Sequence, residues 1–213
     1  MIIAVDGPAA SGKGTLAWRL GQHFGIPHLD TGLLYRAVGL RMLAGGHDFA
    51  DQDAAAAIAD AFDPGWLEGE GLRAREAGEA ATRVAVIPRV RAALLGFQQR
   101  FAHRPGGAVL DGRDIGTVIA PDADVKLYVT ATPETRAERR WNELLGRGQS
   151  VSLAEILADL NRRDANDAAN LVPAQDAILL DTTELDKNAA LRRAVDLIEG
   201  KVAVGLRPLP PGS

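Results

Sequence analysis

Ile2-Ile3-Ala4-Val5-Asp6-Gly7-Pro8-Ala9-Ala10-Ser11-Gly12-Lys13-Gly14-Thr15 opens the chain and decides how the rest is read. An apolar run of strand length ends in a Gly-rich turn, and a helix-like stretch beginning Leu16-Ala17-Trp18-Arg19-Leu20 follows. Strand, then G-x-x-x-x-G-K, then helix is the context of a phosphate-binding P-loop. Glycines let successive backbone N–H groups turn toward phosphate oxygens. The new helix presents its positive end there, and Lys13 adds a full charge. The expectation is a cradle for the phosphates of ATP built from Gly7, Pro8, Ala9, Ala10, Ser11, Gly12, Lys13, Gly14 and Thr15.

The ending of the loop narrows the chemistry. Switch and motor nucleotidases carry Ser or Thr directly after the lysine to hold magnesium, whereas Gly14 stands there in this chain. The ion, Mg²⁺ accompanying ATP, is therefore expected to be held through phosphates and water rather than by a direct protein ligand, with Asp111 placed to orient its water. No N-K-x-D guanine-reading pattern occurs, which speaks against a GTPase.

With 213 residues, the chain is long enough for one core with a small appended part. Its apolar content of 46% and charged content of 24% are those of an ordinary globular enzyme. The net charge of −4 gives no reason to expect nucleic acid or a membrane surface as partner. Cysteine is absent, which excludes disulfides and thiolate metal sites and agrees with a cytoplasmic location. The four histidines, His23, His28, His47 and His103, lack ligand spacing and read as surface or packing residues. Small-molecule nucleotides are the expected partners, and a monomer is the expected state.

Strand-length apolar runs near 2–6, 27–29, 107–111, 125–130 and 177–181 alternate with helical stretches at 13–24, 32–45, 51–61, 88–102, 133–146, 152–165 and 187–203. This is the pattern of an α/β domain with a parallel five-stranded sheet. Thr132 and Pro133 read as N-cap and first residue of one helix. The stretch 63–104 interrupts the alternation, with a helix in its second half, and reads as an acceptor-binding insertion. The region 133–170, with Arg136, Arg139, Arg140, Arg147, Arg162 and Arg163, reads as a helical lid. Arg136 and Arg140 singly read as members of a solvated face. One domain over 1–204 and a flexible tail over 205–213 complete the organisation.

Two further stretches carry chemistry. Asp30-Thr31-Gly32-Leu33-Leu34-Tyr35-Arg36 follows the second strand and opens a helix, so that Thr31 is placed to cap it and Arg36 to meet a phosphate. Asp111-Gly112-Arg113-Asp114-Ile115-Gly116-Thr117 begins at the end of a strand, where doubly wound sheets bind ligands. Arg113 is the candidate grip on an acceptor phosphate, and Asp114 is placed to steady it or to touch the acceptor. A second phosphate site is what a phosphotransferase requires and a nucleotide-dependent switch does not.

These stretches in this order resemble the bacterial cytidylate kinases. D-[ST]-G-x-x-Y-R and D-G-R-D-x-G-T carry the resemblance beyond the P-loop, together with Ala80-Ala81-Thr82-Arg83-Val84-Ala85 and Ile87-Pro88-Arg89-Val90-Arg91. It implies phosphoryl transfer from ATP to CMP, with catalytic roles for Lys13, Arg113 and Arg163. It further implies that Thr31 and Arg36 hold CMP. Thr82 stands where the family has a Ser that reads the cytosine, and Arg91 stands at its partner Arg. Arg113 and Asp114 touch CMP, while Arg163 and Asp167 reach its phosphate and sugar. An Asp on the ribose admits deoxyribose, so dCMP is an expected second substrate. UMP, AMP or shikimate as acceptor, or a non-enzymatic switch, are the competing readings. The chain departs from the pattern at Asn170, where an Arg and an Ala-Pro-Leu run are expected. Asn170-Leu171-Val172-Pro173-Ala174-Gln175-Asp176 follows directly, and Glu68-Gly69-Glu70-Gly71-Leu72 is also short.

Overall fold

The five apolar runs form one parallel sheet in the computed structural model, which describes residues 1–146 and 148–205. Arg147 and residues 206–213 of the expected tail lie outside the described residues, and Gly205 closes the last helix. The strands are β1 (Ile2–Asp6), β2 (His28–Asp30), β3 (Ala108–Gly112), β4 (Val125–Thr130) and β5 (Ile178–Asp181), in the spatial order β2-β3-β1-β4-β5. β1 pairs in parallel with β3 on one side and β4 on the other, so Val5 lies between Asp111 and Leu127. The chain order reverses at β1. Loops leaving β1, β3 and β4 therefore gather at the carboxyl end of the sheet, where an open α/β sheet binds its ligands.

The chain divides into two compact units, Met1–Leu29 with Pro105–Ser213, and Asp30–Arg104. The first unit holds the sheet with helices α1 (Lys13–Phe24), α6 (Pro133–Leu145), α7 (Leu153–Asp167) and α8 (Lys187–Gly205). Ile3, Val5, Val109, Leu127 and Val129 of the strands pack with Leu16 and Leu20 of α1 and Ile198 of α8. The strands read as continuous apolar runs because both faces of a parallel sheet are covered. A second cluster joins Ala137 and Leu144 of α6 to Ile156 and Leu160 of α7, with Ala9 and Ala10 of the P-loop against it. The Thr132 cap forms as expected, its hydroxyl accepting from the Thr135 N–H at 3.3 Å.

The second unit is helical: α2 (Gly32–Ala44), α3 (Gln52–Asp60), a 3-10 turn (Pro64–Glu68), α4 (Arg75–Ala85) and α5 (Pro88–Ala102). It takes in the stretch 63–104 and also 30–62. Leu34, Val38 and Met42 of α2 pack with Val84, Val90 and Leu94. Helix α4 is absent from the sequence reading. Its inward face of small residues, Ala77, Gly78, Ala80 and Val84, lies opposite exposed Arg75, Glu76, Glu79 and Arg83, a helical period that reading 63–104 as an insertion passed over. The same smallness lets it lie close to α2, where a Cβ on Gly39 would stand 2.7 Å from the Ala80 Cβ.

Candidate active site

In the first unit the P-loop is held by its carbonyls. Arg136 Nη1 donates to Ala9 O at 3.1 Å, and Thr182 Oγ1 donates to Ser11 O at 3.1 Å, with Arg139 Nη1 alongside at 3.4 Å. Pro8 O lies 3.5 Å from Lys13 Nζ. A trans peptide sets each C=O opposite the next N–H. Drawing Ala9 O and Ser11 O toward arginines thus turns the Ala10 and Gly12 N–H groups the other way. Gly7 begins the loop at φ +147°, and a side chain there would fall on the Val129 carbonyl oxygen. Ala10 takes a left-handed φ of 60°. Ser11 Oγ is buried with no hydrogen-bond partner among the described residues.

Arg136 corrects its sequence reading. It is 4% exposed, not part of a solvated face: Nε donates to Ala131 O and Nη2 to Asp164 Oδ2 at 2.6 Å. The residue falls on the side of α6 packed toward the loop, which helix periodicity alone did not single out. Arg139 bonds the Thr182 hydroxyl and the Thr182 and Leu185 carbonyls, and burial lowers its pKa. Arg140 pairs with Glu143 on the same helix.

Beside the P-loop, Asp6 closes the loop that follows β3. Its two carboxylate oxygens accept from the Ile115 and Gly116 N–H groups, each at 2.8 Å. Burial raises its pKa to about 6; the two N–H groups and Lys13 work against that rise, and the nearby Asp114 adds to it. A π-helical turn over Ile115–Ile119 follows, with buried Asp114 at its start. Asp111, at the end of β3, is 3% exposed and its Oδ1 lies 2.6 Å from His28 Nε2. This contact corrects the reading of His28 as a surface or packing residue. Among the described residues no group of three or more His, Asp or Glu side chains is arranged to hold a metal ion.

Helix α7 and the segment after it run along the same end of the sheet. Asp164 meets Arg136, Asp167 Oδ2 accepts from Arg113 Nε at 2.9 Å, and Leu171 O accepts from Tyr128 Oη at 3.0 Å. Asp176 meets Lys126 at 2.9 Å. The segment that departs from the family pattern at Asn170 is thus tied to β4 at both ends. Burial raises the Tyr128 pKa. Arg163 is half-buried on α7, between Arg162 and Asp164.

In the second unit, Thr31 is buried at the start of α2, yet its side chain does not cap the helix. Thr31 already has helical φ and ψ, and Asp30 Oδ1 takes the Gly32 N–H instead at 3.0 Å. Arg36 Nη1 donates to Leu72 O at 2.9 Å. Thr82 Oγ1 donates to Gly78 O, and the Arg91 guanidinium stands 5.9 Å from the Tyr35 ring centre. A cavity of about 220 Å³ opens beside this region, lined by Leu33, Leu67, Gly69, Gly71, Leu72 and Arg73.

Comparison with known proteins settles the family. The cytidylate kinase family model matches residues 3–200. The chain belongs to the cytidylate kinase family. A relative named cytidylate kinase from Methylocella silvestris is 58% identical over 203 residues, covering 93% of this chain and 94% of its own. One of the same name from Xanthobacter autotrophicus is 56% identical over 207 residues, covering 95% of this chain and 99% of its own. A solved structure of an uncharacterized protein from Eubacterium ventriosum superposes with a TM-score of 0.54 at 16% identity, covering 94% of this chain and 98% of its own, a likeness of fold alone.

Four residues of the site escape sequence reasoning: Asp6, His28, Tyr128 and Thr182. Asp6 alone leaves a local signal, a carboxylate ending an apolar strand directly before the loop. The partners of the other three lie between 43 and 171 residues away.

Proposed function

We propose that the protein transfers the terminal phosphoryl group of ATP to CMP or dCMP, giving ADP and CDP or dCDP. The observation that carries this is the P-loop whose Ala9 and Ser11 carbonyls are drawn outward by Arg136, Arg139 and Thr182, in a chain of the cytidylate kinase family. Residues Gly7 to Thr15 hold the ATP phosphates, and Lys13 stabilises charge developing on the transferred group. The acceptor is an anionic phosphate at neutral pH, so no general base is needed. Arg113 and Arg163 neutralise the acceptor phosphate, Arg36 binds it, and Asp167 takes the sugar. Thr31 and Asp114 complete the CMP contacts, and Thr82 and Arg91 read the base. The hydroxyl and guanidinium suit the N4 donor and the N3 and O2 acceptors of cytosine.

The donor set fits Mg²⁺ held through phosphates and water: buried Asp111 turns Oδ2 toward the Gly14 backbone at the start of α1, 3.5 Å from where a Cβ would stand, a placement suited to accepting from metal-bound water. The ion supplies charge neutralisation on the phosphates when bound. Closure of the α6–α7 region excludes water, which would otherwise hydrolyse ATP. A net charge of −4 supports small-molecule partners over nucleic acid or an anionic membrane, and the absence of cysteine supports the cytoplasm. No described helix is long and apolar enough to cross a membrane. We read the enzyme as a monomer of one kinase domain with an acceptor-binding insertion and a lid. A coupled assay of ATP and Mg²⁺ against CMP, dCMP, UMP, AMP and shikimate tests the proposal. CMP and dCMP should be the best acceptors; a better rate with another acceptor, or ATP hydrolysis alone, refutes it.

A further inference from the structure

We infer that His28 is a positioning residue that fixes the Asp111 carboxylate against the P-loop helix, an inference that rests on the proposed kinase reading. Asp111 Oδ1 lies 2.6 Å from His28 Nε2. A carboxylate only accepts, so Nε2 carries the proton in this contact. The other oxygen, Oδ2, stands 3.5 Å from where a Cβ on Gly14 would be. The Asp111 side chain is therefore spanned between an imidazole and the first turn of α1, with 4% of its surface exposed.

Helix α1 is shaped to admit this pair. Gly14 and Gly21 are seven residues apart, two turns, and so lie on one face of the helix. Gly14 covers Asp111 Oδ2, and a Cβ on Gly21 would stand 3.3 Å from the His28 Cβ and 2.9 Å from the Ile26 carbonyl oxygen. The imidazole thus runs beneath α1, from Gly21 toward the carboxylate. At position 14 many P-loops place a hydroxyl; here a carboxylate oxygen from β3 comes within side-chain reach of that spot. A carboxylate can rotate, and a partner on one oxygen stops the rotation. Removing the partner of a metal's own ligand alters affinity or activity by roughly 10–100-fold; Asp111 faces the ion's water instead, so the loss of His28 falls at the low end of that range.

The test compares His28→Leu, which fills the space without a donor, with His28→Gln, whose Nε2 amide can reach the same oxygen. Each is measured for kcat, for KM with CMP, and calorimetrically for ATP affinity with and without Mg²⁺. The Leu variant should lose about tenfold in kcat and in the Mg²⁺-dependent gain of ATP affinity, with KM for CMP within about twofold, and the Gln variant should recover most of both. A Leu variant equal to wild type, or a Gln variant no better than Leu, overturns the inference. Should the Leu variant not fold, ¹⁵N spectra of the unmodified protein decide: a protonated Nε2 whose signal moves when Mg²⁺ joins bound ATP supports it, and a bare Nε2 or an unmoved signal overturns it. Absence of CMP kinase activity in wild type would instead refute the kinase reading, independently of the ATP titrations.

Discussion

Replacing Asp6 by Asn should change how stability depends on pH. Asp6 is 6% exposed, and burial raises its carboxyl from 3.8 to about 6. Because the folded pKa lies above the unfolded one, the native state binds this proton more tightly. Stability from Asp6 is full below the unfolded value and is lost as pH rises through the folded value, levelling off above it. The shift, about two pH units, corresponds to about 3 kcal/mol in total at 1.36 kcal/mol per unit. About 2 kcal/mol of that falls between pH ~4.5 and ~7.5. Asn keeps one acceptor for the Ile115 or Gly116 N–H and turns an amide toward the other, at a cost of about 1–3 kcal/mol that does not vary with pH. Urea unfolding of both proteins across that range should show the wild type losing about 2 kcal/mol relative to Asp6→Asn as pH rises. At neutral pH the two should be close in stability. Parallel stability curves would refute the account of Asp6 as a buried carboxylate held in place against its desolvation. The same carboxylate anchors the loop bearing Arg113 and Asp114, so the variant should lose activity where it keeps its stability.

Lys13→Ala should lower kcat by about 10²–10³-fold in the coupled assay with little change in melting temperature, because the proposed reaction assigns Lys13 to charge developing on the transferred group. Arg136→Met should destabilise the protein by about 2–3 kcal/mol in urea melts. It strands the partly exposed Asp164 and frees Ala9 O, so ATP affinity should fall as well. Arg91→Ala should raise KM for CMP by about tenfold or more while leaving ATP affinity unchanged, which titration with ATP alone would check.

Much of the fold was legible because it rests on local pattern. The apolar runs at Ile2–Asp6 and Val125–Thr130 are strand-length and uninterrupted, and Thr132-Pro133 announces a helix start. Helix α4 was legible, with Ala77, Ala80 and Val84 opposite Arg75, Glu79 and Arg83, and was passed over because its inward residues are small. Arg136 was misread for a different reason: an arginine satisfied by two carbonyls and a carboxylate can be buried, and no neighbour in sequence reveals those acceptors.

Residue order alone determined that a phosphate cradle follows the first strand, that the family's D-T-G-x-x-Y-R and D-G-R-D stretches are present, and that the chain alternates strand with helix. Those features need only neighbouring residues to be recognised. Tertiary structure decided which carboxylate meets which partner: Asp6 the loop 109 residues away, Asp111 His28, Asp167 Arg113, and Thr182 the Ser11 carbonyl. Such pairings depend on the strand order β2-β3-β1-β4-β5, which brings distant segments to one end of the sheet and leaves no periodic trace in the chain.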